Sequence, residues 1–598
     1  MDIREKNIKV STVIIFFVPI IIWALFAYFT KLNLSLAFLE GGFFWISLAI
    51  VELIVLTCYL YFKEYSPFKP LFVIGGLVLV FCIVNIAGCD MFNDQKAYNQ
   101  IGEVKQTSFA DSILPIDYTQ IPVVDEELAL KQAEKKLGEE RGLGSIVNVG
   151  DFTLQQVNDE LTFVAPLEHE NFFKWFDNGT TPGYITVSAT DPDDVELVQE
   201  VDGSQIKLRY LNSSYFGDNL LRHIRNSGYT FTGITDMSFE LDDNGRPYWT
   251  VTTYENTAFW ALPEATGVII CDPQTGECTW YSIEDTPEWV DKIQPENFID
   301  DQIDNYGRYE QGFWNSVFGK NGVIIKTPGV LTVYNNGDCY YYTGMTSVGN
   351  DDATTGFIMV NTRTKEATYF ELAGATEEAA QASAEGMLQE KEYTATLPVP
   401  LNVQGIPTYF MTMKDKAGLV KSYAMVNIEN YSIVATGNTV AEVQQNYINA
   451  MVSNGNDVVV GSEEAYLYHT EGIVTRISSQ VTNGNTTYYM IIGDDNTKLY
   501  VASSSLSDEL AITREGDNVK VSYIDDSNGT VNISDFDNLD FSQVKSEDQV
   551  RKDEQVAENG GISENDTNTI IEVNPEDNEA KWNSLTDEEK AKLLENNN

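Results

Sequence analysis

The chain has 598 residues and a formal net charge of −51, from 38 Lys and Arg against 89 Asp and Glu. An acidic surface of this strength repels nucleic acid and anionic lipid headgroups, so we expect no nucleic-acid partner. Six cysteines in this length exclude a disulfide-rich scaffold.

Three apolar stretches open the chain, and none of similar length follows them. They cover residues 10–29, 42–62 and 71–88, each near the roughly 20 residues that a helix needs to cross a bilayer. Residues 1–89 are therefore predicted to form three transmembrane helices.

Lys and Arg at the ends of these stretches predict the orientation, because basic loops stay in the cytoplasm. The basic residues are Arg4, Lys6 and Lys9 before the first stretch, Lys31 after it, and Lys63 and Lys69 before the third. This bias predicts a multi-pass plasma-membrane protein with a cytoplasmic N-terminus and an extracytoplasmic region from residue 90 onward.

One acidic residue, Glu52, lies near the middle of the second stretch. A carboxylate at that depth is costly, so Glu52 is a candidate intramembrane functional residue. The alternative is a protonated side chain, or one bonded to a neighbouring helix.

Residues 90–124 are polar and are predicted to form a juxtamembrane linker. Asp125 is then a candidate N-cap for a helix over 126–140. Short strands are predicted over 152–157, 160–165 and 183–189.

An internal repeat organises the middle of the chain. Residues 267–281 align without a gap with residues 356–370, and a weaker copy begins at Tyr423. Each copy is predicted to be a hairpin followed by a helical segment, over 287–293, 376–388 and 439–451. A turn containing Gly245, Gly337 or Gly405 precedes each hairpin and leads into an aromatic strand.

The repeat predicts an α+β fold of small antiparallel sheets, each covered by a helix. The helical sequence 127–138 followed by strands, and the strand and turn Ile270-Cys-Asp-Pro-Gln-Thr-Gly-Glu, resemble PepSY domains. That resemblance implies small α+β modules of exported bacterial proteins that bind or restrain peptidases. PepSY-like units are expected over 125–264, 265–397 and 398–460.

The C-terminal part has a different pattern. Five strands separated by Gly-containing turns predict a small β-barrel over 461–545, similar to an OB-fold. Residues 546–598 are acidic and nearly free of aromatic side chains, and we predict that they form a disordered tail.

The repeat also places two cysteines opposite each other. Cys271 and Cys278 flank the turn of the first hairpin, where cross-strand Cβ distances are close to those of a disulfide. We predict a disulfide between them, with buried free thiols as the alternative.

No catalytic constellation is visible in the sequence. The three histidines, His169, His223 and His469, are scattered over different predicted units, so a zinc site or triad would need long-range convergence. We therefore expect no catalytic residue, metal site or cofactor.

The expected function is that of a non-catalytic, membrane-anchored binding or scaffold protein of the cell envelope. Its partner would be another exported protein, such as a peptidase, or a wall component. The aromatic strands at Tyr340–Tyr342 and Tyr248–Trp249 could form a binding face, although aromatic stripes in strands more often belong to the core. The alternative is a sensor or transport accessory whose membrane spans carry the function. The oligomeric state stays open.

Overall fold

The computed structural model describes residues 3–66, 68–109, 121–158, 160–335, 337–349, 353–403, 405–453, 467–482, 485–493, 498–504, 506–524 and 530–541. The chain divides into two compact units, Met1–Ala465 (unit 1) and Tyr466–Asn598 (unit 2). Together they have a mixed α+β architecture. The predicted tail, residues 546–598, lies outside the described residues.

The helices of the described part lie in unit 1. They are Ile3–Thr30 (α1), Leu39–Phe62 (α2), Phe68–Ala87 (α3), Asp90–Asn99 (α4), Glu126–Glu139 (α5), Phe172–Asn178 (α6), Leu220–Ile224 (α7), Glu296–Tyr309 (α8), Glu377–Met387 (α9) and Val440–Ser453 (α10). A π-helical turn, Arg225–Tyr229, continues α7.

Two helices, not the three predicted, are long and apolar enough to cross a membrane by length and composition. They are α2 and α3, whereas the apolar part of α1 among the searched residues is the shorter stretch Ile15–Thr30. The first turns of α1 carry the charged residues Arg4, Glu5, Lys6 and Lys9.

The three N-terminal helices pack side by side. Phe16 and Trp23 of α1 contact Tyr59 and Ser47 of α2, and the Trp23 indole nitrogen donates a hydrogen bond to Ser47 Oγ at 3.0 Å. Low residue numbers of α1 meet high residue numbers of α2, so the two helices are antiparallel.

The predicted linker over 90–124 is wrong in its first part. Residues 90–99 form α4, and Val104–Thr107 (β1) pairs in parallel with a later strand. Ile101 between them is almost fully buried. One buried face on so short a helix leaves no apolar periodicity in the sequence, which is why the segment looked like a linker.

Four mainly antiparallel sheets make up the rest of unit 1. Sheet I contains Val147–Val149 (β2), Thr153–Val157 (β3), Glu160–His169 (β4), Tyr184–Ser188 (β5) and Val195–Val198 (β6). A two-stranded ribbon follows, formed by Glu200–Val201 (β7) and Ser204–Gln205 (β8). Sheet II contains Gly233–Leu241 (β9), Pro247–Ala258 (β10), Ala261–Cys271 (β11) and Cys278–Ser282 (β12).

The other two sheets follow in the chain. Sheet III contains Ile324–Lys326 (β13), Leu331–Asn335 (β14), Asp338–Ser347 (β15), Ala353–Asn361 (β16) and Ala367–Ala375 (β17), with β1 at its edge. Sheet IV contains Thr394–Ala395 (β18), Val399–Val403 (β19), Ile406–Lys414 (β20), Val420–Asn427 (β21) and Val434–Gly437 (β22).

The predicted repeat corresponds to four similar meanders. Each sheet has a run of four consecutive strands, β3–β6, β9–β12, β14–β17 and β19–β22, preceded by helical structure. The predicted hairpins are β11–β12, β16–β17 and β21–β22. The boundary predicted at residue 264 falls within β11, because the repeated hairpin begins in the middle of each meander whereas each structural module begins at its helix.

The helix predicted over 287–293 does not form. Its backbone carbonyls bind a side chain instead, because the Arg363 guanidinium donates to the carbonyls of Thr286, Pro287, Glu288 and Val290. The helix of this unit is α8, which begins three residues later. The helices predicted over 376–388 and 439–451 are present as α9 and α10.

The aromatic strands belong to the core. Tyr341 and Tyr342 are 1% exposed and Trp249 is 3% exposed. The Tyr342 hydroxyl donates to Glu377 Oε1 at 3.1 Å. These side chains therefore form no open binding face.

Unit 2 is a small five-stranded structure. Its strands are Leu467–Thr482 (β23), Asn485–Ile492 (β24), Leu499–Ser503 (β25), Asn518–Ile524 (β26) and Thr530–Asn538 (β27). Pairings β23–β24–β25–β27–β26–β23 join them in a ring, as predicted for a small barrel. Its likeness to an OB-fold stays a prediction.

We expect Arg363→Met to destabilise unit 1, because the variant keeps the aliphatic stem but leaves several partly buried carbonyls without a donor. The loss in the free energy of unfolding should be about 2–3 kcal/mol. Urea unfolding of the detergent-solubilised full chain, followed by tryptophan fluorescence, measures it. The control Arg246→Met removes an exposed ion pair with Asp202 and should barely move the midpoint. Equal midpoints for the two variants would contradict this role of Arg363.

Candidate functional site

The loop between α1 and α2 is fixed to sheet II. The Asn33 side chain donates to the Thr232 carbonyl at 3.0 Å, and the Trp260 indole nitrogen donates to the Leu36 carbonyl at 2.9 Å. Phe38 packs edge-on against Tyr254 with ring centroids 5.1 Å apart. One end of the N-terminal helices is therefore bonded to the β-structure, and we call this region the helix-end surface.

Close backbone approach reinforces the same surface. A Cβ atom added to Gly42 in α2 would collide with the Trp260 ring, and one added to Gly88 would lie 3.2 Å from the Ala258 carbonyl oxygen. The ring centroids of Trp260 and Phe81 of α3 also lie 5.3 Å apart. Thus the first turns of α2 and the last turns of α3 meet sheet II at one place.

The helix after α3 ties the surface to α8. Asp90 accepts a hydrogen bond from the Tyr309 hydroxyl at 2.9 Å, and Asp94 accepts one from the Phe313 backbone at 2.9 Å. Burial and the Asp90 carboxylate raise the pKa of Tyr309 well above its usual value. These bonds hold α4 against the folded part.

An exposed aromatic cluster lies beside the C-terminal end of α1. It consists of Phe172, Phe173, Trp175 and Phe176 around α6, with Tyr215 and Phe216 from the turn before α7. Phe173 is 73% exposed and Phe176 is 70% exposed. Arg222 connects this cluster to α1, because it donates to the carbonyls of both Phe216 and Tyr28.

A second exposed aromatic pair follows α8. Trp314 and Phe318 stack with centroids 5.8 Å apart, and they are 60% and 77% exposed. Their neighbour Phe313 is bonded to Asp94 of α4. The aromatic cluster around α6 therefore lies beside the end of α1, and the Trp314–Phe318 pair lies beside α4.

A separate cleft lies where sheets I, II and III meet, and we call it the junction cleft. It has a volume of about 240 Å³ and is lined by Asp151, Asp236, Lys292, Glu296, Trp249 and Tyr341, among others. Burial raises the pKa of Asp236 and of Glu296, while Lys292 acts in the opposite direction on both. Carboxylates in this setting can bind a cationic or hydroxyl-rich group.

The floor of this junction is a buried polar network. Glu240 is fully buried; it accepts a hydrogen bond from Thr250 Oγ1 at 2.7 Å and one from the Asp291 backbone at 3.3 Å. Asp291 in turn accepts from the Gln156 backbone and the Tyr334 hydroxyl. Burial, with the nearby Asp291, raises the pKa of Glu240 to about 8.

The predicted cysteine pair is bonded in the structure. Cys271 and Cys278 are directly opposed in the β11–β12 hairpin and form a disulfide. Cys339 is a free thiol in the core, where burial raises its pKa to about 11.

Glu52 lies in α2, as predicted. Its Oε1 atom is buried and has no hydrogen-bond partner among the described residues. Asn85 of α3 is bonded to its own helix through the Phe81 carbonyl at 2.8 Å. Among the described contacts, nothing joins Glu52 to a second titratable group.

The histidines are not brought together into a described site. His223 is bonded to the Gly276 carbonyl at 2.7 Å and stacks on Tyr210. His169 is buried with neither ring nitrogen bonded, and burial lowers its pKa. The side chain of His469 lies outside the described residues. No group of three or more potential metal ligands occurs in the part of the chain that was searched.

Sequence reasoning missed the exposed aromatic cluster and the arginines beside it. Both left a local signal: Phe172-Phe-Lys-Trp-Phe is unusually aromatic, and Arg222-His-Ile-Arg225 is a basic run in an acidic region. Neither pattern indicates that it lies near α1, because that proximity arises from tertiary packing.

No protein-family model and no curated protein matches the sequence. Among solved structures, a levansucrase variant from B. megaterium is 10% identical, with 73% of this chain and 96% of that chain covered and a TM-score of 0.17. A GDP-Man-dependent mannosyltransferase from Leishmania mexicana is also 10% identical, with 62% and 92% covered and a TM-score of 0.14. Such low scores carry no information about activity.

We expect Glu240→Gln to change the pH dependence of stability. An unfolded Glu ionises near pH 4.3, whereas Glu240 in the folded chain ionises near 8. The folded state keeps a proton that the unfolded state has lost. This carboxyl therefore makes the free energy of unfolding fall as pH rises between these values.

Relative to the native chain, the variant should thus gain stability progressively as pH rises from about 4 to about 8. Urea unfolding of the full chain over this pH range tests the difference. Glu284→Gln, at an exposed position, should follow the native curve. A constant difference between Glu240→Gln and the native chain would contradict the shifted pKa.

Proposed function

We propose that this chain is a membrane-anchored, extracytoplasmic binding protein of the cell envelope without catalytic activity. The observation that carries the proposal is the helix-end surface. The two candidate spans, α2 and α3, form a hairpin whose two outer ends both pack on sheet II. A hairpin held at one end in this way would orient the folded part relative to a bilayer.

The charge distribution supports an extracytoplasmic location. The opposite end of the α2–α3 hairpin carries Lys63 and Lys69, and basic loops stay in the cytoplasm. Because α1 runs antiparallel to α2, its basic first turns lie at that same end. The Cys271–Cys278 disulfide fits an oxidising compartment, which is the environment outside the cytoplasm.

The exposed aromatic residues also fit this orientation. Aromatic side chains are enriched at the interface between lipid headgroups and water. Phe173, Phe176 and the Trp314–Phe318 pair are exposed beside helix ends that would lie at this level. We propose that they rest on the membrane surface and restrict tilting of unit 1.

The junction cleft is the proposed binding site for a partner. It opens between three sheets of the helix-plus-meander fold, and the PepSY resemblance implies small α+β modules that bind peptidases. The carboxylates of Asp151, Asp236 and Glu296 line it. We propose that they recognise a cationic or hydroxyl-bearing group of another exported protein, such as a peptidase, or of a wall component.

A second candidate function is a sensor or transport accessory in which the spans are active. Glu52 favours it, because its Oε1 is buried in α2 without a hydrogen-bond partner among the described residues. Carboxylates within membrane spans are a common feature of proton-coupled proteins.

Membrane insertion and sidedness can be tested together on the full chain. We expect the protein to stay in the membrane fraction after alkaline carbonate extraction. Protease added to intact cells stripped of their wall should digest unit 1. A tag placed between Lys63 and Lys69 should become accessible only after lysis. Release by carbonate would contradict the anchor, and protection of unit 1 in intact cells would contradict the orientation.

Partner binding can be tested by cross-linking the tagged full chain in its own membranes and identifying reproducible partners by mass spectrometry. The double variant Asp236→Asn with Glu296→Gln should lose most of the captured partner. The matched control, Asp193→Asn with Glu284→Gln, changes two exposed carboxylates and should retain it. Equal capture by both would contradict the cleft as the site.

If Glu52→Gln abolished the cellular phenotype while capture stayed normal, the second function would be favoured.

A further inference from the structure

A cavity lies between α1, α2 and the arginines of α7 and the π-turn. Its volume is about 340 Å³, within the range of small-molecule sites, about 300–1,000 Å³. Its lining residues are Ile20, Ala24, Ala27, Tyr28, Lys31, Leu32, Leu34, Phe44, Trp45, Leu48, Arg222, Arg225, Asn226 and Thr230.

The two ends of this cavity differ in chemistry. The helices contribute an apolar end, with Ala24 and Leu48 among its residues, whereas Lys31, Arg222 and Arg225 contribute a cationic end. None of the residues that line it is acidic. In a chain with more than twice as many acidic as basic residues, three cations at one cavity are a local reversal of charge.

Both arginines are buried and incompletely bonded. Each is 9% exposed, and the Nε atom of each has no hydrogen-bond partner in the described structure. Arg222 donates to the carbonyls of Phe216 and Tyr28, and Arg225 donates to those of Tyr229 and Thr232. These acceptors are neutral, and no ion pair of either arginine occurs among the described residues.

The surroundings do not neutralise these cations. Burial and Arg222 lower the pKa of Lys31, and burial lowers the pKa of Arg225. Glu40 and Tyr254 act in the opposite direction on Arg225, but no ion pair joins Glu40 to Arg225 among the described residues. A buried charge is stable when it is paired, so the site favours an anion.

We propose that this cavity binds one anionic phospholipid, with the phosphate at Lys31, Arg222 and Arg225 and an acyl chain along Ala24 and Leu48 between α1 and α2. The inference rests on the proposed membrane anchoring, because that anchoring places the cavity at headgroup level. The cationic end of the cavity would match the headgroup of a lipid molecule, and the apolar end between the helices would match its acyl chain. A bound lipid would join the helices to unit 1.

The test uses delipidated full-length protein in a neutral detergent and native mass spectrometry with added lipid. Phosphatidylglycerol should bind at one copy and about tenfold more tightly than phosphatidylcholine, a difference of about 1.4 kcal/mol. Inorganic phosphate, added as a separate arm, should not displace it at equal concentration.

Two pairs of variants separate the two ends of the site. Arg222→Gln with Arg225→Gln should remove the preference for phosphatidylglycerol. The charge-matched control, Arg209→Gln with Arg246→Gln, changes exposed arginines and should retain it. Ala24→Phe should weaken binding by filling the apolar end, whereas Ile21→Phe, on an exposed helix face, should not. Ala24→Phe keeps the test decisive if the double variant Arg222→Gln with Arg225→Gln fails to fold.

Three results would overturn the proposal. One is equal binding of the two lipids, and another is an unchanged preference in the arginine variant. The third is displacement by inorganic phosphate with normal binding in Ala24→Phe, which would indicate a phosphate site. Because binding is measured in detergent, a chain that carbonate releases from membranes would refute the anchor independently of this result.

Discussion

The architecture of unit 1 depends on one constraint, which is that its sheets are apolar on both faces. Sheet II uses one face against sheet I, through Phe239, Trp249 and Ile269, and the other against Val290 and Ile293. Sheets I and IV share a further core with α5 and α10, and sheets III and IV share another with α9. A helix-plus-meander unit that stood alone would expose one of these faces. The four helix-plus-meander modules within unit 1 therefore pack into one body and are not loosely linked beads.

The meeting of sheets I, II and III creates the polar junction. Residues 286–294 run between them as an irregular segment with a turn at Pro287–Val290, and their partly buried carbonyls need hydrogen-bond donors. Arg363 supplies several of these donors, and the Thr362 hydroxyl supplies one, to the Asp291 carbonyl. The Thr362 carbonyl in turn accepts hydrogen bonds from the backbones of Ile293 and Gln294. The same crossing leaves the junction cleft beside it. The hydrogen bonds that hold this segment and the candidate binding site thus lie at the same place. Binding sites often occur where several structural elements meet.

Local signals in the sequence predicted much of the β-structure. Gly245, Gly337 and Gly405 have positive φ in tight turns between paired strands, and these turns located the meanders. Asp125 caps α5 through the Leu128 backbone, as its position suggested. The bonded pair Cys271–Cys278 followed from the register of one hairpin. These features depend on neighbours close in the chain, which a sequence pattern records directly.

Features that depend on distant residues were mispredicted or missed. The sequence of residues 287–293 favours a helix, but in the folded chain Arg363 binds the carbonyls of this segment. The sequence left open whether Tyr341 and Tyr342 belong to a binding face or to the core, and the packing of the sheets places both in the core. The cavity at Arg222 and Arg225 needs α1 and α7 to meet, although they are nearly 200 positions apart in the chain. No periodicity in the sequence records such a meeting.

The central claim is that a membrane lies against the helix-end surface. Spin labels at positions 173 and 318, on a background without Cys58, Cys82 and Cys89, would measure it most directly in lipid nanodiscs. Accessibility to oxygen and to a water-soluble nickel complex gives the depth of each label. The account predicts headgroup depth at both positions and full water exposure for a control label at position 193. Water exposure at all three positions would contradict it.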